Sequence, residues 1–440
     1  MIVEPDAYDH PAGELLPLQL AAAQELVAER RQQINVLRRR AEETGVGEIR
    51  SLADLVPLLF AHSVYKSYPT AFIEQGRWDR MLQWLGTLSV AKVTNTDVSG
   101  VKDVDEWIAR LGAAGHRILA TSGTTGKCSF LNATEGDYQL KTRHFANTLG
   151  WPLLKPNRDR VVFQLFPRFG PNSGIEAGGI GAQVWGRPGA VHFLTDEPLR
   201  ITDVSAAAAL RKRMAEGSAT PGEVAAFEAE NAARTARTRA GLNDLIDKIL
   251  DSRHEPMVMA GLWAQHMAII ERARVRGIPD GDFHPESYIS AGGGIKNVKL
   301  PEDYKERLER FYGNVHRGGA YGMTEEAQVM PVCPARRYHC PPALIMLILN
   351  GPGEKLLNPP GNVGGVVEGR FAFVDLLYEG RWGGLISGDR VSVDFAERCP
   401  CGRFGPTILD TIARYAQVGE DDHIGCAGTI DSYVSGALAT

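Results

Sequence analysis

Apolar positions along the 440 residues fall into three regimes, and each predicts different elements. Up to about residue 115 they recur at helical spacing, with "LQLAAAQELVAERRQQINVLRRRAEE", Leu18 to Glu43, the longest amphipathic run. From Ile118 to Gly319, short strand-like runs ("RVVFQLFP", "PMVMAG", "SYISAGG") alternate with helical ones ("GLWAQHMAIIERARVRG", "EDYKERLERFYG"). This alternation predicts an α/β fold with largely parallel strands. Inside it, Ile201 to Arg253 is rich in Ala, Glu and Arg and reads as a helical insertion. From Ala343 onward "ALIMLILN", "GGVVEGRFAFVDLLYEG" and "LISGDRVSVDF" predict a smaller β-rich subdomain.

Composition narrows the class. A chain of this length can bury a large core and suggests two or three lobes. A net charge of -5, with no long Lys/Arg-rich run, argues against a nucleic-acid partner, and "RRQQINVLRRR" reads as the solvated face of a helix. No secretory leader pattern opens the chain and no apolar stretch reaches the ~18 residues of a membrane span, so a soluble cytoplasmic protein without a membrane partner is expected. Four of the six cysteines cluster late, at Cys333, Cys340, Cys399 and Cys401. In a reducing compartment such clustering points to metal rather than to a disulfide framework.

The chemistry begins with "ILATSGTTGKCSFLNAT", Ile118 to Thr134. Its glycines and hydroxyls suit a phosphate, but a Walker loop requires Gly where Thr121 stands and Ser or Thr where Cys128 stands. A P-loop NTPase is therefore not expected, and the alternative is a simple surface turn. Four further segments bear on the choice. "YISAGGGIKNVKLP" sets Gly292, Gly293 and Gly294 after a strand, and "GGAYGMTEE" sets Tyr321, Gly322, Met323, Thr324 and Glu325 together. "LISGDRVSVD" ends a strand with Gly388-Asp389, an acid suited to ribose hydroxyls, and "GEDDHIGCAGTID" carries paired acids before a glycine.

In this order the five segments resemble the adenylate-forming superfamily of acyl-CoA synthetases, peptide-synthetase adenylation domains and luciferases, most nearly its phenylacetate-CoA ligase branch. The match runs from about Ile118 to Gly428. It implies a large N-terminal domain with parallel sheets packed by helices. Within it, 1–115 would be a helical part, 116–342 a nucleotide- and acyl-binding core, 343–418 the β-rich subdomain and 419–440 a hinge remnant. The implied reaction is ATP-dependent activation of a carboxylic acid to acyl-AMP, for transfer to CoA, a carrier protein or an amine. Ser122, Gly123, Thr124, Thr125, Gly126 and Lys127 would close over the β- and γ-phosphates. Gly292 to Gly294 with Tyr321, Gly322 and Met323 would frame the adenine. Thr324 would hold the α-phosphate, Glu325 the Mg2+ and Asp389 the ribose. No side-chain nucleophile is needed, since positioning and charge neutralisation carry such a step. His254 and His266 lie near an acyl-pocket candidate but read as structural.

The cysteines fit the same branch. "ERCPCGRFGP" resembles its Cys-x-Cys-Gly-Arg element, which implies a structural zinc held by Cys399 and Cys401 with Cys333 and His339 of "VCPARRYHC". Cys340 is the alternative fourth ligand, and four protein ligands would leave no open position for catalysis. Two departures stand out. Gly419 occupies the place of the Arg expected before the paired acids, which leaves Arg414 as the equivalent. The superfamily's mobile C-terminal domain, with its lysine, is expected to be missing. A shortened chain, a stand-alone adenylation domain served by a separate protein, and a degenerate binding module all account for that. A coenzyme-adenylylating enzyme, or an acyl-protein synthetase using Cys426, are further alternatives.

Overall fold

The computed structural model describes residues 7–121, 127–293 and 299–417 together with Ile424 and Val434, and for Ala208, Ala209, Arg211 and Lys212 the backbone alone. The described chain forms two compact units, one of residues 1–144 with 321–440 and one of 145–320. The α/β fold with a parallel sheet and a β-rich part is as the apolar pattern predicts.

The unit of 145–320 is built on five strands in the order Gly186–Thr195, Arg160–Pro167, Met257–Leu262, Tyr288–Gly292, His316–Gly318, with every pairing parallel. The strand Arg160–Pro167 is buried over its first six positions, which explains a continuous apolar run rather than an alternating one: helices cover both faces of a parallel sheet. Between the strands lie the helices Ser173–Trp185, Trp263–Val275 and Tyr304–Tyr312. The Ala/Glu/Arg-rich stretch forms two helices, Ile201–Ala215 and Pro221–Asp251. The second starts at a capping box in which Thr220 and Glu223 satisfy each other's backbone N–H, with Pro221 as its first residue. Its last turns carry Leu245, Ile246, Ile249 and Leu250 into the core beside Phe163, Met259 and Phe311. His266 is fully buried and bonds the Tyr312 hydroxyl (2.8 Å) and the Ser290 carbonyl (3.2 Å), while His254 faces Asp282 (3.0 Å).

In the other unit a seven-stranded sheet runs Arg337–His339, Thr407–Leu409, Gly384–Asp394, Val366–Asp375, Leu344–Leu349, antiparallel throughout. Phe60–Ala61 joins parallel to Leu385 and Ile386, and Ala413–Arg414 joins antiparallel to Asp389 and Arg390. Leu344–Leu349 is buried at all six positions, so both of its faces are covered. The long amphipathic run divides into Ala12–Gln33 and Asn35–Thr44. The break is Ile34, 1% exposed and in extended conformation: burying this β-branched side chain takes precedence over helix continuity. Arg117–Ala120 and Phe130–Ala133 form an antiparallel hairpin whose connection is the glycine- and threonine-rich loop. No helix among the described residues is long and apolar enough to cross a membrane.

Candidate functional site

Three polar side chains from separate segments meet on the seven-stranded sheet. Asp389 lies within the strand Gly384–Asp394 rather than at a strand end, opposite Arg414 in the pairing register. The strand continues past the Ser-Gly-Asp segment, which the sequence places at a strand end, because Arg390–Asp394 pairs with Val366–Arg370 and Asp389 and Arg390 pair with Ala413–Arg414. Asp389 is 6% exposed; its Oδ1 is 3.2 Å from Arg414 Nε and its Oδ2 accepts the Tyr321 hydroxyl at 2.8 Å. The Tyr321 ring packs edge-on against Phe371 (5.4 Å). Burial, and then the Asp389 carboxylate, hold that hydroxyl well above the usual tyrosine value, so it stays a neutral donor. Both carboxylate oxygens thus face donors of the protein itself.

The turn after Tyr321 is held from below by charges that the sequence did not single out. Gly322 is required there, because a Cβ would meet Val329 Cγ1 at 2.7 Å. Glu326 accepts the Met323 N–H (3.1 Å), Arg381 donates to the Glu325 carbonyl (2.8 Å), and Asp375 accepts from the Ala327 N–H (2.8 Å) and Gln328 Nε2 (3.0 Å). Burial, and next Asp375, push the Glu326 carboxyl well above its ordinary 4.5. Burial also raises Asp375 despite the N–H donors around it. The fully buried Arg381 guanidinium lies 3.8 Å from the Tyr378 ring centroid. A charge inside an apolar run, as Asp375 is in "FAFVDLLY", was the available signal, since such a group must be paired to be buried. Thr324 and Glu325 themselves are half-buried on this turn.

Lys127 stands at the C-terminal arm of the hairpin loop, whose base is closed by Thr121 N–H to the Ser129 carbonyl (3.2 Å) and Ser129 N–H to Thr121 Oγ1 (2.9 Å). Ser122, Gly123, Thr124, Thr125 and Gly126 lie outside the described residues, as do Gly294, Gly419, the paired acids Asp421 and Asp422, Cys426 and Gly428. In the unit of 145–320, Gly292 ends its strand and Gly293 follows with φ +86, where a Cβ would meet Leu262 Cδ2 at 2.5 Å. Only glycine suits that position.

The structure brings Cys333, His339, Cys399 and Cys401 together, with one ligand atom of each within 4.8 Å of every other. Cys333 Sγ is 3.8 Å from Cys399 Sγ, and Cys401 Sγ is 3.5 Å from His339 Nε2. Two equivalent turns present the thiols. In "CPARR" and "CPCGR" the first cysteine's carbonyl accepts the N–H three residues on (both 2.9 Å), and its N–H donates to the carbonyl four residues on (2.9 and 2.8 Å). The fourth residue of each, Arg336 or Gly402, has positive φ (59 and 92). This local repeat was legible in the sequence and went unread. Burial lowers His339 to about 4, leaving a neutral imidazole, the form that ligates. Cys340 points elsewhere, toward the Leu344 carbonyl at 3.2 Å, so His339 completes the set. Two knuckle thiols, a third on the second knuckle and an imidazole fit a tetrahedral divalent cation of borderline softness.

No protein-family model matches the chain, and no curated protein matches it. Solved structures that it resembles include a luciferase-like enzyme from the nonluminescent Zophobas morio mealworm (10% identity, TM-score 0.36, covering 68% of this chain and 56% of that one). An acyl-CoA synthetase (AMP-forming)/AMP-acid ligase II-like protein from Dyadobacter fermentans shares 14% identity at TM-score 0.34, over 72% of this chain and 68% of that one. CmiS6 shares 14% identity at TM-score 0.34, over 66% and 60%. The chain thus spans little more than half the length of the first of these. Likenesses this distant carry no argument about residues or chemistry.

Proposed function

We propose that the chain binds ATP and a carboxylic acid and joins them as acyl-AMP, releasing pyrophosphate. The observation that carries this reading is the Tyr321–Asp389–Arg414 group: a buried carboxylate whose two oxygens already face a hydroxyl and a guanidinium, beside the Thr324–Glu325 turn. In the proposed step a carboxylate oxygen of the acid attacks the α-phosphorus while the bond to the bridging oxygen breaks and pyrophosphate leaves. Both reactants are anionic, so the protein's work is alignment and charge neutralisation. Asp389 would accept from the ribose hydroxyls, with the Arg414 guanidinium beside it. Thr324 would donate to an α-phosphate oxygen, Glu325 would ligate the Mg2+ that travels with ATP, and Lys127 would neutralise the β- and γ-phosphates. Glu326 and Asp375 stay out of the chemistry; they hold the turn. The cysteine–histidine set would hold one Zn2+ as a structural clamp between the two knuckles, where four protein ligands fill its coordination. The final acceptor, CoA, a carrier or an amine, follows from the superfamily resemblance alone. ATP–pyrophosphate exchange across a panel of acids tests the reading: acid-dependent exchange is expected, and nucleotide binding with no exchange for any acid would reduce the protein to a binding module.

A further inference from the structure

Tyr68 grips two consecutive residues at the end of the glycine- and threonine-rich loop with three different parts of itself. Its main-chain carbonyl accepts a hydrogen bond from the Lys127 ammonium, its ring lies 4.4 Å from that same Nζ, and its hydroxyl donates to the Cys128 carbonyl at 2.9 Å. The residue is 2% exposed and fixed in turn by Trp84 (5.0 Å, edge-on) and by Phe130 (5.5 Å), which Trp107 backs at 5.6 Å. A lysine has four rotatable bonds and holds no fixed direction by itself. A carbonyl dipole and the negative face of an aromatic ring both attract its cation, and the anchored Cys128 carbonyl fixes the backbone from which it springs.

We infer that Tyr68 is the positioning residue for Lys127, holding its ammonium against the Tyr68 carbonyl and ring so that the β- and γ-phosphates of ATP are met by a pre-aimed charge. This rests on the phosphate-binding role proposed for Lys127. The ring and one carbonyl are weaker partners than a polyphosphate, so the ammonium changes partner on binding without a search through its rotamers. A tyrosine that merely fills the core makes no such demand on the ligand's charge, and that separates the two roles.

Calorimetric titration of the full chain with ATP, pyrophosphate and AMP decides it, using Lys127→Ala, Tyr68→Leu, Tyr68→Phe and the Lys127→Ala/Tyr68→Leu double variant. Tyr68→Leu should weaken ATP and pyrophosphate by roughly tenfold, and Tyr68→Phe, which keeps ring and carbonyl, by roughly threefold. AMP, which lacks the distal phosphates, should keep its affinity in both. In the Lys127→Ala background, Tyr68→Leu should add less than about twofold, because the two residues act through one another. Equal losses in both backgrounds, or equal losses for AMP and ATP, would overturn the inference while leaving Lys127 in the site. Lys127→Ala with undiminished ATP affinity, or a parent chain that binds no ATP, would overturn both the phosphate reading and the inference. Should Tyr68→Leu fail to fold, Tyr68→Phe carries the test, and undiminished ATP affinity there would count against the grip.

Discussion

The cysteine–histidine cluster and the Tyr321–Asp389–Arg414 group share one unit and one sheet, yet they are assembled in opposite ways. Three of the four cluster ligands sit on two turns of the same form, and the fourth lies two residues beyond the first; each turn is closed by its own hydrogen bonds, although the two turns are 66 residues apart in the chain. The polar group spans a similar separation, 68 residues from Tyr321 to Asp389, but the turn beside it is closed by buried ionisable side chains, its own Glu326 together with Asp375 and Arg381 from farther along the chain. The comparison teaches where each site is vulnerable. The self-closed turns leave the cluster vulnerable mainly at its four ligand side chains, whereas the turn beside the polar group is vulnerable at buried side chains remote from it in the chain.

The severest way to break the comparison is Asp375→Ala. Its carboxylate accepts from Ala327, Gln328 and Leu377, and removing it leaves two buried donors and one half-buried donor without a partner. Each buried donor costs about 1–3 kcal/mol, so a loss of roughly 2–6 kcal/mol is expected in urea unfolding. AMP affinity should fall with it. Zinc content of the protein that remains folded should not, because the knuckles close themselves; parallel loss of both would show the two sites to be one cooperative piece. The complementary change is Cys399→Ser or prolonged chelation. At a thousandfold excess of free zinc over its Kd, bound metal contributes about 4 kcal/mol of stability, and this is the loss expected in a thermal melt. Elemental analysis should find one zinc per chain before and none after, with AMP affinity unchanged. A smaller effect is expected of Asp389→Ala, which should weaken AMP by about 1–3 kcal/mol, the scale of lost hydrogen bonds to a charged group, and cost about 1–3 kcal/mol of stability, because the Tyr321 hydroxyl loses its acceptor.

Sequence legibility follows the same division. The strands Arg160–Pro167, Met257–Leu262 and Leu344–Leu349 were readable because extensive burial leaves largely apolar, non-alternating runs. The late cysteines pointed to a metal, the resemblance supplied the four-residue set, and His339 over Cys340 was decided only by where each side chain points. The break at Ile34 was not readable, since an isoleucine continues a helical pattern as well as it ends one; tertiary burial chose. Nor was the mid-strand place of Asp389, which depends on pairing of the residues beyond it with Val366–Arg370 and on the Ala413–Arg414 pairing. Arg381 and Glu326 look like ordinary surface charges in "EGRWGG" and "MTEE", and nothing local marks a charge as buried.

The smallest and most discriminating change concerns Glu326, 1% exposed, with Oε2 accepting the Met323 N–H and a carboxyl held above its ordinary 4.5 by burial and by Asp375. The sign is set by which state keeps the proton. Above about pH 4.5 the unfolded chain releases it while the folded chain retains it, so stability falls as pH rises from there toward the folded-state value, beyond which the loss is complete. Glu326→Gln keeps the shape and the acceptor oxygen but carries no proton to lose. It should therefore flatten the decline on the alkaline side of pH 4.5 and leave the protein more stable than the parent at neutral pH. Asp375 is raised as well, so the slope should shrink rather than vanish. Urea unfolding across pH 4 to 8 for parent and variant measures it. A variant with an unchanged slope would mean that Glu326 is ionised in the fold and paired with a cation, and the turn beneath Thr324 and Glu325 would then be held by an ion pair instead of by a neutral carboxyl.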